Sequence, residues 1–184
     1  MSSLTVQNIQ GSASSSNTIN VASGHKILGA AGSIIAPGQV IQVISNHYTA
    51  IESTSSTSLV ASAVLANITP KFATSKILVD MRIQGILVAA NTSCIELALY
   101  NGTEGGSYSS LITWNQASGY TTASDERVYD GQATFQYFHD VNNTNNNRYT
   151  VYFKVSGSGT IYYNNYRSGA NTTASSITLT EIAQ

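Results

Sequence analysis

Three histidines are the residues of this sequence whose chemistry comes closest to metal binding or acid–base catalysis. They are His25, His47 and His139, and no H-x-H or H-x₃-H spacing joins them. A metal site needs partner ligands at such spacings, so we predict no metal site and no cofactor. His139 and Asp140 are adjacent in a predicted strand, where neighbouring side chains point to opposite faces. We therefore expect no joint role for that pair.

Paired carboxylates are the second chemistry to consider, because two acids about 5–10 Å apart across a cleft can hydrolyse a glycosidic bond. The candidate acids are Asp80, Glu96, Asp125, Glu126, Asp130 and Asp140. Asp80 and Glu96 are predicted to lie on neighbouring strands, opposite the apolar face and close to Arg82, which favours an exposed cross-strand ion pair. The stretch NGTEGGS lacks the lysine and the following helix of a phosphate loop. We predict no catalytic residues and no enzyme activity.

Aromatic residues in segments rich in Asn, Gln and Ser are the third candidate site. They are Trp114, Tyr120, Tyr162, Tyr163 and Tyr166. Aromatic faces beside amide groups bind neutral sugars by stacking and by polar orientation. The alternative is that these tyrosines fill sheet edges and subunit contacts, with a buried ring and a hydrated hydroxyl. The sequence leaves both interpretations open.

Charge is the unusual feature of the composition. Only 9% of the 184 residues are Asp, Glu, Lys or Arg, and the net charge is −1, whereas about 25% charged residues is typical. This composition gives no electrostatic basis for binding nucleic acid or an anionic membrane. Ser, Thr and Asn make up about a third of the chain and favour strands and turns over helices. We expect copies or partners to cover much of this weakly charged surface.

Cysteine usage and targeting signals bear on where the chain folds. Cys94 is the single cysteine, so no disulfide framework is predicted, and we expect Cys94 to be a small buried residue in a strand. The start MSSLTVQNIQ has no basic region or continuous apolar run like those of a signal peptide. No apolar run approaches the ~18 residues of a membrane helix. We expect folding in a reducing cytoplasm and no membrane insertion.

The first 36 residues differ from the rest, because they contain one charge and no aromatic residue. Glycines interrupt their short apolar segments, and Pro37 and Gly38 supply a closing turn. The apolar residues are Leu4, Val6, Ile9, Ile19, Val21, Ile27, Leu28, Ile34 and Ile35. Such segments cannot bury themselves. Residues 1–36 are therefore either a disordered leader or, as we predict, an extended attachment arm that lies on another subunit.

From Gln39 onward the pattern predicts strands. Residues 76–83 alternate apolar and polar side chains, with Ile77, Val79, Met81 and Ile83 on one face. RVYDGQATFQYFHDV and RYTVYFKV are separated by NNTNNN, which we interpret as the tip of a hairpin. Residues 58–66 could form a short helix, but their flanks favour a strand. About eight strands at this spacing predict an all-β fold for residues 37–184, a jelly-roll-like antiparallel β-sandwich behind an extended N-terminal arm.

Short motifs in a fixed order carry a family resemblance. They are SKILV, LYNGT, RYTVYFKV, GTIYYN, the terminal SSITLTEIAQ, and the leader segments TVQNIQGSASSSNTINVASGHKI and GSIIAPGQVIQV. Together they resemble a family of structural proteins of phages of cyanobacteria and other marine bacteria. The sequence departs from that family in the Ala-rich segment 58–66 and in the long excursion ITWNQASGYTTASDER. The resemblance implies a jelly-roll-like knob, usually trimeric, that an N-terminal arm fixes to the virion.

Two functions are compatible with this resemblance. The first is a capsid decoration, or cement, protein: a homotrimer on the head whose arms bind the major capsid protein or other virion subunits. The alternative is a short tail or head fibre whose knob binds host surface carbohydrate. The chain has neither coiled-coil heptads nor a long repetitive shaft, which favours the decoration protein. We expect the protein in the virion, made in the host bacterial cytoplasm, with no nucleic-acid partner.

Overall fold

The fold is described from a computed structural model of the chain. The residues described are 19, 21–25, 27, 35–89, 94–116, 127–166 and 171–184. The chain divides between Ile34 and Ile35 into two units, which we describe separately. The predicted boundary between arm and knob, after residue 36, stays a prediction. In the first unit, a turn is closed by a 3.0 Å hydrogen bond from the His25 N–H to the Ala22 carbonyl.

The second unit consists of strands and their connections. In the described ranges the strands are β1 (Val40–Tyr48), β2 (Glu52–Thr54), β3 (Val60–Ile68), β4 (Lys76–Ala89), β5 (Ile95–Thr103), β6 (Tyr108–Gln116), β7 (Arg127–Asp140), β8 (Asn147–Val155), β9 (Thr160–Tyr163), β10 (Asn165–Tyr166), β11 (Asn171–Thr172) and β12 (Ser175–Ile182). The strand predicted over residues 58–66 is confirmed as β3. Within these ranges no helix is long and apolar enough to span a membrane.

The strands form two antiparallel sheets that pack as a sandwich. The first sheet has the order β1–β12–β4–β9–β2, with β7 on the other edge of β4, and the second has the order β3–β8–β5–β6. From β6 to β9, each strand lies in the sheet opposite to the one before it. This connectivity is that of a jelly roll. The predicted jelly-roll-like antiparallel β-sandwich is confirmed.

The core lies between the two sheets and is built from alternate residues of each strand. The predicted inward faces are confirmed, because Ile77, Val79, Met81 and Ile83 of β4 are at most 1% exposed. Across the core, β8 contributes Tyr149, Val151, Phe153 and Val155, each at most 2% exposed. Burial of one such side chain contributes about 1.5–3 kcal/mol relative to leaving it in water. Strand alternation thus determines which faces of the sandwich remain free to bind.

Strand β4 bends at Gly85, which has a φ of 58°. Before the bend, β4 pairs with β12, and after it the same edge pairs with β9. A Cβ on Gly85 would lie 2.4 Å from the Thr173 Oγ1 and 2.9 Å from the Asn165 N atom. Both the dihedral angle and the close approach therefore require glycine.

A buried asparagine holds the region beside this bend. Asn164 is fully buried and its N–H donates to the Gln84 carbonyl over 2.8 Å. Its side-chain amide donates to the carbonyls of Tyr48 and Ala50, and its Oδ1 accepts from the Ser175 hydroxyl. Because the side-chain amide and carbonyl of Asn164 are both satisfied, this residue links β1, β4 and β12 at low cost despite its burial.

Two sequence-based expectations about connections are wrong. The segment NNTNNN is not a hairpin tip, because β7 pairs with β4 whereas β8 pairs with β3 and β5 in the other sheet. A polar loop that crosses the roughly 10 Å between two sheets has the same sequence pattern as a hairpin loop. For the same reason Asp80 and Glu96 do not lie on neighbouring strands, since β4 and β5 belong to different sheets.

Cys94 also differs from its expected place. It lies immediately before β5 rather than within a strand, and it is partly buried. Its Sγ lies within hydrogen-bonding distance of the Ser156 Oγ. The side chain therefore packs at the end of the second sheet and not in the core.

Candidate functional site

The outer face of the first sheet is a grid of cross-strand rows on β1, β12, β4 and β7. Residues directly opposite each other in a sheet share a face, so strand pairing defines the rows. From β1 to β7 they are Val40, Ile182, Lys76 and Asp140; Val43, Thr180, Leu78 and Phe138; Ser45, Thr178, Asp80 and Gln136; and His47, Ser176, Arg82 and Thr134. The first row is half apolar and half charged, the second is apolar except for Thr180, and the other two are polar.

Five side chains of the first two rows form a surface that we name the apolar patch. They are Val40, Val43, Leu78, Phe138 and Ile182. Val40, Val43 and Phe138 are 52%, 55% and 58% exposed, the largest values for big apolar side chains in the described part of residues 35–184. Leu78 and Ile182 lie between them and are partly exposed. A contiguous apolar surface of this kind indicates an interaction site.

The charged residues of this outer face are paired with each other. The Lys76 Nζ lies 3.3 Å from the Asp140 carboxylate, and the Arg82 Nε lies 3.6 Å from that of Asp80. The Gln136 amide also donates to Asp80 over 2.6 Å. The face therefore carries two charges of each sign and has no net charge.

A row of four aromatic side chains, which we name the aromatic row, lies at the side of the sandwich between β6 and β7. It consists of Trp114, Phe135, Tyr137 and His139, all partly exposed. Trp114 stacks on Phe135 with ring centroids 4.5 Å apart and an interplanar angle of 11°. Because Trp114 belongs to β6 and Phe135 to β7, this stack joins the two sheets.

His139 and Tyr149 form a polar contact at the other end of the aromatic row. The His139 Nδ1 lies 2.8 Å from the Tyr149 hydroxyl. Burial lowers the pKa of His139, and the negative charge of Asp140 opposes that shift. Burial, with a smaller contribution from Tyr137, raises the pKa of Tyr149. Tyr149 is therefore protonated at neutral pH and can exchange a hydrogen bond with a neutral imidazole.

The strands beside the aromatic row are edge strands. Among the described strands, β6 pairs with β5 alone and β7 with β4 alone. Strand β7 is 14 residues long, and its sequence contains no proline or lysine. Unpaired N–H and C=O groups along such an edge can pair with another chain, and edges are often protected by those two residue types. The β7 edge is thus a second candidate interaction surface.

The outer face of the second sheet carries a tyrosine pair. The rings of Tyr100 and Tyr152 lie 4.1 Å apart at an interplanar angle of 31°. Burial raises the pKa of Tyr152, with smaller contributions from Tyr108 and Tyr100. The nearby Lys154 Nζ lies 3.1 Å from the Glu96 carboxylate. This face is partly aromatic, but its tyrosines cover each other.

The structure describes four of the predicted attachment-arm residues. Ile19, Val21, Ile27 and Ile35 are 52%, 45%, 64% and 41% exposed. The other five lie outside the described residues: Leu4, Val6, Ile9, Leu28 and Ile34. Whether these side chains bind a virion surface is still a prediction.

The five aromatic residues proposed for glycan contact occupy different environments. Trp114 is partly exposed and stacks on Phe135. Tyr162 and Tyr163 are neighbours on β9, so they point to opposite faces. Tyr162 is partly exposed, whereas Tyr163 is 2% exposed and its hydroxyl donates to the Glu52 carboxylate. Tyr166 lies in β10, and Tyr120 is outside the described residues.

Those residues considered for catalysis whose side chains the structure describes do not gather in one place. His139 points between the sheets, while Asp140 points outward to Lys76, so their predicted separation is confirmed. Asp125 and Glu126 lie outside the described residues, and the side chain of Asp130 is likewise not described. Within the described part of the chain, no group of three or more His, Cys, Asp or Glu side chains could hold a metal ion.

The apolar patch was missed by sequence reasoning, although a signal for it exists. Leu78 and Phe138 are apolar residues at positions where the alternation of their strands points outward. The polar neighbours Asp80 and Gln136 on the same faces show that this direction leads to solvent. A deviation from alternation at two paired positions could therefore have indicated the patch.

Comparison with known proteins assigns the chain to no family. No known protein family matches the chain, and no curated protein is significantly similar to it. Among solved structures, it is similar to the VP2 subviral particle of infectious bursal disease virus, at 14% identity over 86% of this chain and 37% of that one, with a TM-score of 0.46. A structure of the Gx strain of that virus matches at 14% identity, 86% and 36% coverage, and a TM-score of 0.45.

A third similar structure is the Eiger TNF of S. frugiperda, at 12% identity over 81% of this chain and 95% of that one, with a TM-score of 0.37. The chain spans less than two fifths of the length of the first two structures. At such identities and TM-scores these similarities give no information about what the chain binds.

Proposed function

We propose that this chain is a phage virion structural protein, specifically a capsid decoration protein that binds the assembled head as a homotrimer and stabilises it. In this proposal residues 1–36 are the attachment arm and residues 37–184 the knob. The partner is the major capsid protein or another virion subunit. The observation that carries the proposal is the exposure of the described apolar arm residues, which ranges from 41% to 64%.

Exposed apolar side chains are stabilised when another surface covers them, because their burial lowers the free energy. An arm with several short apolar segments can make several weak contacts with such a surface. Three arms on one trimer would strengthen attachment through effective concentration, without any single strong site. A charge content of 9% supports this proposal, because a weakly charged surface opposes association poorly.

The copy number of the protein in purified virions tests this proposal. Quantitative mass spectrometry should give a copy number that scales with the number of major capsid subunits. A decoration protein covers the whole head, so its stoichiometry follows the lattice of the shell. A copy number set by a single tail or by a few vertices would contradict the decoration role and support a fibre.

The second candidate function is a short tail or head fibre whose knob binds host surface carbohydrate. The observation that favours it is the partial exposure of two of the proposed contact residues, Trp114 and Tyr162. Purified protein should then bind host cells or lipopolysaccharide, and Tyr162→Ala should weaken that binding. Trp114→Ala needs a parallel measurement of stability, because Trp114 also stacks on Phe135. Absence of binding by the unaltered protein would contradict the fibre function.

A further inference from the structure

We infer that this chain associates with copies of itself through two adjoining surfaces: the apolar patch of one copy meets the β7 edge and aromatic row of the next. This inference rests on the proposed homotrimer and names the surfaces that hold it. Both surfaces belong to the described part of the sandwich, and they share strand β7.

The apolar patch is exposed in the single chain, and its burial by another molecule would be favourable. Val40, Val43 and Phe138 each expose more than half of their surface, and they occupy the same two rows as Leu78 and Ile182. Burial of such a contiguous surface is favourable and does not depend on direction. Isolated exposed apolar residues are common, but five in adjoining rows of one sheet are an interaction surface.

Charge indicates what kind of molecule covers the patch. Lys76 pairs with Asp140 at one end of the outer face, and Arg82 pairs with Asp80 at the other. Because these charges balance, the face has no net electrostatic attraction for a strongly acidic or basic partner. The whole chain has a net charge of −1, so a second copy of it is electrostatically compatible with this neutral face.

The second surface supplies the complementary half of the contact. The outer edge of β7 has no partner among the described strands, and the aromatic row beside it is partly exposed. Edge strands with free backbone groups and apolar neighbours are sites where another chain packs. Aromatic rings are also enriched at protein interfaces.

Two different adjoining surfaces favour a ring over a two-fold dimer. A two-fold dimer joins a surface to itself, whereas a cyclic assembly joins two different surfaces and closes when the rotation permits. Four strands about 4.8 Å apart and four rows about 6.8 Å apart give the whole outer face an area of about 500 Å², of which the two rows of the apolar patch are about half. A contact over the whole face buries about 1,000 Å² in total, the lower limit for a specific interface, with the apolar patch in one half and the paired charges of the polar rows in the other. In a ring every copy makes two such contacts.

Light scattering on the full chain after size-exclusion chromatography tests this inference. The unaltered protein should have a mass of about three times 19.5 kDa. Phe138→Asp should lower the measured mass about threefold with an unchanged circular dichroism spectrum, because Phe138 is exposed and contributes little to the folded monomer. The matched control is Ala61→Asp, which places the same charge on an exposed position of β3 in the other sheet and should leave the mass unchanged.

Hydrogen exchange tests whether the β7 edge forms the second side of the contact. Amides of β7 should exchange more slowly in the unaltered protein than in the Phe138→Asp monomer. A monomeric or dimeric unaltered protein, a trimeric Phe138→Asp variant, or equal exchange at β7 in both proteins would overturn the inference. None of these outcomes changes the copy number in virions, so failure of the interface is distinguishable from failure of the decoration role.

Discussion

Glu181 is the most buried charged side chain that the described residues contain, and its surroundings explain why it is tolerated. It is fully buried on the inward face of β12. Its carboxylate accepts hydrogen bonds from the backbone N–H groups of Lys71 and Phe72, at 2.8 and 3.2 Å, and from the Gln42 amide at 2.6 Å. A buried acid with three donors is stable because its lone pairs are satisfied. Glu181 therefore anchors the loop between β3 and β4.

We expect Glu181→Ala to lower the free energy of unfolding by about 3 kcal/mol, because the N–H groups of Lys71 and Phe72 and the Gln42 amide all lose a charged, fully buried acceptor. Glu181→Gln should cost less, since its carbonyl oxygen can still accept from the Lys71 and Phe72 N–H groups. Urea unfolding followed by circular dichroism measures both values. Equal losses for the two variants would contradict an anchoring role through the backbone contacts.

His139 makes the stability of the sandwich depend on pH. Burial lowers its pKa in the folded protein, so the folded state binds the proton less tightly than the unfolded chain, where the pKa is about 6.5. The contribution of neutral His139 is complete above the unfolded pKa and decreases as the pH falls below it. The groups around the ring are Tyr137, Tyr149 and Asp140.

The free energy of unfolding should therefore be lower at pH 5 than at pH 7.5. His139→Gln should reduce that difference, because glutamine can still contact the Tyr149 hydroxyl but does not titrate. Denaturant titrations of both proteins at the two pH values test this prediction. An identical pH dependence in the variant would show that other groups are responsible.

At the scale of elements, the bend in β4 decides how the first sheet is assembled. β12 and β9 both pair with the same edge of β4, one on each side of Gly85. The bend allows this edge to pair with β12 before Gly85 and with β9 after it. Two glycines with positive φ allow two energetic costs of an alanine substitution to be separated: the unfavourable backbone conformation and the steric clash of the added Cβ. Gly85 has a φ of 58° in a crowded site, whereas Gly105 has a φ of 78° in open space.

Gly105→Ala should cost about 1 kcal/mol, because only the backbone conformation is unfavourable for alanine. Gly85→Ala should cost about 3 kcal/mol or more, because the added Cβ also meets the Thr173 Oγ1 at 2.4 Å and the Asn165 N atom at 2.9 Å. Thermal unfolding of the two variants gives this comparison. A similar melting temperature for both would contradict the proposed crowding at the bend.

At the scale of the whole molecule, attachment and folding are proposed to reside in different parts of the chain. The sandwich of β1–β12 has its own core, formed by residues of the two sheets. The carbonyl of Ala183 accepts a hydrogen bond from the Gly38 N–H, so the start of this unit is tied to its end. Removal of residues 1–36 leaves these contacts intact.

Deletion of residues 1–36 should therefore leave a folded trimer that no longer binds virus particles. Circular dichroism and light scattering report on the fold and the trimer, and co-sedimentation with particles that lack the protein reports on attachment. The matched control is the full chain under the same conditions. An unfolded truncated protein, or one that still sediments with particles, would contradict the separation of arm and knob.

The sequence by itself determined the fold class and the composition of the core. Alternation placed Ile77, Val79 and Met81 on one face, and all three are buried. A strand has a period of two, so its alternate residues share a face, and one face of each sheet of a sandwich is buried in the core. The tertiary structure alone decided which strands are neighbours. The loop before β8 crosses between sheets, and a local pattern of polar residues is the same for a crossing and for a hairpin.

Tertiary structure also assembled the apolar patch. Val40 and Val43 lie about a hundred residues from Phe138 in the chain, and they share a face with it only because β12 and β4 pair between β1 and β7. Each of these residues alone is an ordinary exposed side chain. They form one surface only because distant strands pair, and this pairing depends on packing of the whole sandwich and not on local sequence.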